Sequence, residues 1–235
     1  MRLFLLAALV AAPAFAQDAP ADTVTIMPGD PSLVTDWVTA GSSSYTMRLT
    51  APMQQDVGTM TESISVEDGR IVRVTTMEVP MQGMTQTDSL VATTAFFPLT
   101  HNSEGGAADA SLEFMDEGVV GMVTPMQGEN TTVMLMTDTP VFDGGWIAEI
   151  ARSVPLTEGA VYLVPTFMTQ MTEDVTNVIL TVGGQEDVDG TMAQVIEGDL
   201  GPVGFTYLVD PETRALLATR FSPQPGVSLE ITPDE

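Results

Sequence analysis

The chain has 235 residues, with 32 Asp and Glu against seven Lys and Arg, a formal net charge of −25 and no cysteine. All seven cations are arginines. That balance argues against nucleic acid, where phosphate neutralisation needs a basic stripe, and against electrostatic docking on anionic lipid; without cysteine the fold has no disulfide or thiol chemistry to draw on.

Arg2 gives a short positive start, Leu3 to Ala12 is an apolar run, and Ala14-Phe15-Ala16 supplies a small-x-small cleavage site. The pattern predicts a secretory signal peptide over residues 1–16, cleavage near Ala16 and export to the periplasm. Cleavage leaves six arginines against 32 carboxylates. No later apolar run approaches the ~18 residues of a membrane helix, so no membrane span is expected in the mature chain. A surface this rich in carboxylates keeps copies apart in solution.

Residues 17–29, rich in Ala, Pro and Asp, read as a flexible leader, and 30–235 as one β-rich domain. A short helix is predicted over 30–40: Asp30 can cap it, Pro31 fits the first turn, Leu33 and Trp37 lie four apart, and Gly41 stops it. After Gly41 the period changes to two, with Tyr45, Met47 and Leu49 alternating with polar neighbours. Similar runs recur near 59–67, 70–79, 84–97, 111–115, 119–126, 131–137, 160–169, 175–183, 191–198, 203–209, 214–222 and 227–232. Asp68-Gly69, Glu117-Gly118 and Asp189-Gly190 supply hairpin turns, and Asp210-Pro211-Glu212-Thr213 a type I turn. A second helix is predicted over 143–153, capped by Asp143, with Trp146 and Ile150 on one face and Pro155 closing it. The predicted fold is mainly β: a curved antiparallel sheet, half-barrel or barrel-like, of about 11–13 strands with one or two short covering helices.

Pro-Met-Gln occurs at Pro52-Met53-Gln54, Pro80-Met81-Gln82 and Pro125-Met126-Gln127, each at the end of a strand-like run. Proline removes a ladder donor, so these are strand ends or edges, and their methionines could gather at one rim.

Little here names a reaction. His101 is the only histidine, and it sits in a stretch, Pro98 to Gly106, that reads as a solvated loop. Asp187-x-Asp189-Gly190 is a weak calcium-loop pattern that a hairpin turn explains. Met134 and Met136, two apart on a strand, point the same way and could hold copper(I) as a thioether pair. Flexible, polarisable methionines also make an adaptable apolar lining. The candidate lining or lid of such a site comprises Trp37, Trp146, Ile150, Met134 and Met136. No cofactor and no catalytic residue are expected.

The stretch Phe205-Thr206-Tyr207-Leu208-Val209-Asp210-Pro211-Glu212-Thr213-Arg214, with its return through Ala215 to Phe221, resembles the C-terminal hairpin of a broad family of uncharacterised Gram-negative periplasmic proteins, similar in shape to the lipoprotein-localisation carriers. Arg152 to Gly159 looks like that family's segment between a short helix and the next strand, and Val182 to Val188 like its strand ending before a Gly-containing hairpin. The resemblance implies a curved half-barrel with a short helix over its concave side and, for the carriers, a cavity for acyl chains. The expected function is therefore a non-enzymatic periplasmic protein that binds an apolar ligand, an acyl chain or lipidated peptide, in the concave face. A protein-interaction module of the cell envelope is the alternative, and a methionine-based copper(I) binder the third.

Overall fold

The structure, a computed structural model, describes residues 22–169, 174–200, 203–224 and 226–234. The predicted signal peptide and residues 17–21 of the predicted leader lie outside them. Among the described residues sixteen strands form one sheet: β1 (Val24–Thr25), β2 (Gly41–Ala51), β3 (Gln55–Glu67), β4 (Arg70–Val79), β5 (Met84–Thr93), β6 (Pro98–Glu104), β7 (Ala108–Met115), β8 (Gly118–Pro125), β9 (Thr131–Met136), β10 (Phe142–Asp143), β11 (Val161–Phe167), β12 (Val175–Val188), β13 (Thr191–Leu200), β14 (Val203–Val209), β15 (Leu216–Gln224) and β16 (Val227–Pro233). The order across it is β1, β11 through β16, then β2 through β9. Every ladder from β11 to β9 is antiparallel, whereas β1 and β10 lie parallel along the outer edge of β11.

The sheet is curved, open and mixed, and one short helix, α1 (Ile147–Ser153), preceded by a 3-10 turn at Gly144–Trp146, covers its concave side. Asp143 caps that turn as predicted, accepting from the Gly145 amide at 2.9 Å. The hairpin turns also follow the sequence. Asp68 and Gly69 both adopt positive φ, 50° and 74°, the backbone of a type I′ turn. In β8 the demand is steric: a Cβ on Gly121, at φ 152°, would run into the Ser111 carbonyl oxygen of β7.

Three features differ from the sequence reading. Residues 30–40 form turns and no helix. Asp30 does cap a turn, accepting from the Ser32 amide, but the Val34 amide then donates to the Ser153 carbonyl across the fold. A run crowded with Val34, Thr35, Val38 and Thr39 has little helix propensity to resist that distant partner. Within the predicted leader, Val24–Thr25 pairs with β11 and Ile26 is buried in the core. Third, β6 occupies the predicted loop around His101, and with the two-residue β1 and β10 it takes the strand number above the expected range.

The register fixes two faces. Inward residues of β11 to β14, including Tyr162, Val164, Leu180, Ile196, Tyr207 and Val209, meet Ile71 and Leu90 from β4 and β5 around Trp146 and Ile150. The concave face is therefore a filled core where α1 and the 26–38 segment lie on it. Arg214 secures the helix end, its guanidinium donating to the Arg152 and Val154 carbonyls, both at 2.9 Å. Asp210 holds the turn that presents Arg214 by accepting from the Glu212 and Thr213 amides. Because strands β2 to β9 alternate direction, the β2–β3, β4–β5 and β8–β9 connections share one rim. These are the three Pro-Met-Gln sites, and Met53, Met81 and Met126 are all exposed there.

Candidate functional site

Cross-strand register assembles a polar row on the concave face. Ser43 pairs with Glu62, Glu62 with Thr75, Thr75 with Asp88, and Asp88 with Ser103, so five adjacent strands, β2 to β6, contribute one polar residue each. Glu62, Thr75 and Ser103 are buried. The neighbouring row brings in Arg73 beside Leu90 and His101. Polar side chains at inward positions must find partners or cost stability, and most here do.

Arg73 is the hub on one side. Its Nε lies 2.5 Å from Glu62 and 3.3 Å from Glu149 on α1, and it donates to the Gly145 carbonyl at 2.7 Å. Burial works against the guanidinium charge, but Glu149 and Glu62 outweigh it and hold Arg73 protonated. Burial pushes the Glu149 carboxyl up, against the pull of Arg73. One guanidinium thus ties α1 to β3 and β4 through two carboxylates. Two buried polar atoms beside it, Thr75 Oγ1 and Glu149 Oε2, have no hydrogen-bond partner.

His101 is the second hub. Asp143 approaches its Nδ1 at 3.0 Å and Asp88 its Nε2 at 3.8 Å. Burial alone would lower the imidazole pKa, yet Asp143 and Asp88 reverse the effect and push it up to about 10. A raised folded-state pKa means that the stabilisation is complete below the unfolded value of about 6.5 and fades as pH climbs to about 10. Unfolding free energy should fall by up to about 1.4 kcal/mol per pH unit across that window. Urea titrations at stepped pH will register this slope, and His101→Gln should flatten it; an equal slope in the variant would contradict the ion pair.

The predicted site residues separate. Trp146 and Ile150 are fully buried core, and Trp146 touches Phe96 with ring centroids 5.8 Å apart. Trp37 is half-buried outside them, stacked under Arg152 at 3.8 Å and donating its Nε1 proton to the Val34 carbonyl. These three meet in the helix-side core. Met134 and Met136 share a face as expected, but it is the convex one, where they are 74% and 63% exposed. They do not join the tryptophans.

Beyond the polar row, toward the Pro-Met-Gln rim, the concave face carries apolar pairs, with Gln86 opposite Met77 on β5. Met60 faces Met77 across β3 and β4, and Phe205 faces Phe221 across β14 and β15. All four are half-buried, as is Ile231 on β16. Two surface grooves are different in kind. A groove of about 400 Å³ is lined by Ser42, Ser44, Thr61, Glu62, Ser63 and Thr76, and one of about 550 Å³ by Thr85, Thr87, Glu104, Gly105, Asp109 and Met126. Among the described residues no helix is long and apolar enough to cross a membrane, and no group of three or more His, Asp or Glu could hold a metal ion.

Comparison with curated proteins returns no match. A family model described as a protein of unknown function (DUF3108) matches residues 44–234, from within β2 through β16, which takes in the polar row from Glu62 to Ser103 and both hubs. The chain belongs to the DUF3108 family.

Proposed function

We propose that this chain is an exported, non-enzymatic protein of the cell envelope that holds an apolar chain, an acyl group or lipidated peptide, on the part of the concave face between the polar row and the Pro-Met-Gln rim. The observation that carries this is that half-buried Met60 and Met77, paired across β3 and β4, and half-buried Phe205 and Phe221, paired across β14 and β15, share one inward face with half-buried Ile231. Large apolar side chains left partly open on a concave surface are the usual lining of a ligand site, and methionine adapts to irregular chains. The polar row ends that surface, and the unpartnered Thr75 Oγ1 stands in it.

Two features favour binding over catalysis. The chain's one histidine keeps its proton through Asp143 and Asp88, which leaves it without a base's role at neutral pH. The carboxylates nearest the row are engaged with Arg73 or His101. Native mass spectrometry of protein purified from its own envelope should reveal an acyl-sized adduct, and the stripped protein should take up a fluorescent fatty acid. A clean apo mass together with no uptake would sink the proposal.

A further inference from the structure

The two ends of the sheet are finished differently. At one, β1 and β10 lie along β11 and cover its outer edge. At the other, β9 pairs with β8, and among the described residues no strand pairs with its outer side. An uncovered edge presents unpaired backbone donors and acceptors, and natural sheets usually blunt it with charge, proline or a bulge. Strand β9 has none of these: Thr131-Thr132-Val133-Met134-Leu135-Met136 is neutral, and its register against β8 is continuous.

The convex side of this edge is apolar. Met136 lies in line with Met115 across Gly118, and Met134 beside Val120, with Met122 one row further. All four methionines are exposed. The surround is strongly negative. Between residues 74 and 151 the chain has eleven carboxylates and neither Arg nor Lys, and exposed Glu113, Asp116, Glu117, Glu129 and Asp138 flank the patch. A second copy would bring the same charges to the same place, so the field disfavours self-pairing.

We infer that β9 is the docking edge for an extended segment of a partner protein, which adds as a further strand, lays apolar side chains on the methionine patch and carries basic residues at its ends. Backbone pairing supplies the affinity in this mode, and alternate side chains with flanking charge supply the selection. The surface lies on the face opposite the proposed ligand site, so the two stand or fall separately.

The probe is a synthetic peptide of alternating valine and threonine with arginines at both ends, titrated into the full-length mature protein. The expected result is slowed amide exchange confined to Thr131–Met136, with shifts of the Met115, Met134 and Met136 methyl signals and none at Met60 or Met77. Met134→Lys with Met136→Lys should weaken binding at least tenfold; because both side chains are exposed, circular dichroism should confirm an unchanged fold. Replacing the peptide's arginines by glutamates should abolish binding. Protection elsewhere on the sheet, equal affinity for the acidic peptide, or a protein dimer that the lysine variant dissolves would overturn the inference.

Discussion

Replacing Arg73 with methionine should destabilise the fold by about 3–5 kcal/mol, the cost of stranding buried charge without its partner. The side chain answers Glu62 and Glu149 together and also the Gly145 carbonyl, so its loss leaves two carboxylates in the core between α1 and β3. Adding Glu62→Gln and Glu149→Gln to the Arg73 variant should recover part of that loss, since neutral amides of similar shape avoid the penalty. Urea unfolding of the four proteins, wild type, Arg73→Met, the Glu62→Gln/Glu149→Gln double variant and the triple variant, measures the coupling. A cost for Arg73→Met below about 1 kcal/mol, the range of exposed pairs, would show that the network is not buried as described.

Trp146→Ala should be comparably severe, about 3–5 kcal/mol, because it opens a large cavity in a packed core. Trp146 is fully buried among Phe96, Ile150 and the inward residues of β11 to β14. Trp37→Ala should cost less, roughly 1–2 kcal/mol, since it forfeits a half-exposed stack on Arg152. The contrast separates a core residue from a lid. A lid tryptophan at position 146 would be removed with little change in stability and with a clear change in ligand uptake, the reverse of the expected order.

The strand series was legible because inward positions such as Tyr45, Met47 and Leu49 are apolar and their neighbours polar. Where that contrast fails, pattern reading fails with it. Strand β6 points His101 and Ser103 inward, and a polar inward residue looks like a loop until its partners Asp143 and Asp88 are in view. In β9 the run Val133-Met134-Leu135-Met136 is apolar on both faces. Parity told which residues travel together, and only the packing of Val133 against Phe114, Val119 and Phe167 tells which set faces in.

The polar row was partly within reach. Asp68-Gly69 as a two-residue hairpin turn already fixes Glu67 opposite Arg70, and counting back places Glu62 opposite Thr75. Extending the row to Asp88 and Ser103 requires the lengths of two further connections, and these carry no such turn signature. The C-terminal hairpin illustrates the same division. Its Asp210 turn reads directly from sequence, whereas the role of Arg214, clamping the Arg152 and Val154 carbonyls at the end of α1 some sixty residues earlier, depends on tertiary placement. The 30–40 segment carried acceptable helix signals and lost the helix to one long-range bond, from the Val34 amide to the Ser153 carbonyl.

Protein labelled with carbon-13 at its methionine methyls and titrated with a long-chain fatty acid gives the most direct test of the proposed ligand site. Met60 and Met77 are half-buried on the inward face of β3 and β4, while Met134 and Met136 stand on the opposite surface. The expected spectrum has the first pair shifting to saturation and the second pair unmoved. Saturating fatty acid that leaves Met60 and Met77 in place, or that moves only the convex-face methyls, would contradict it.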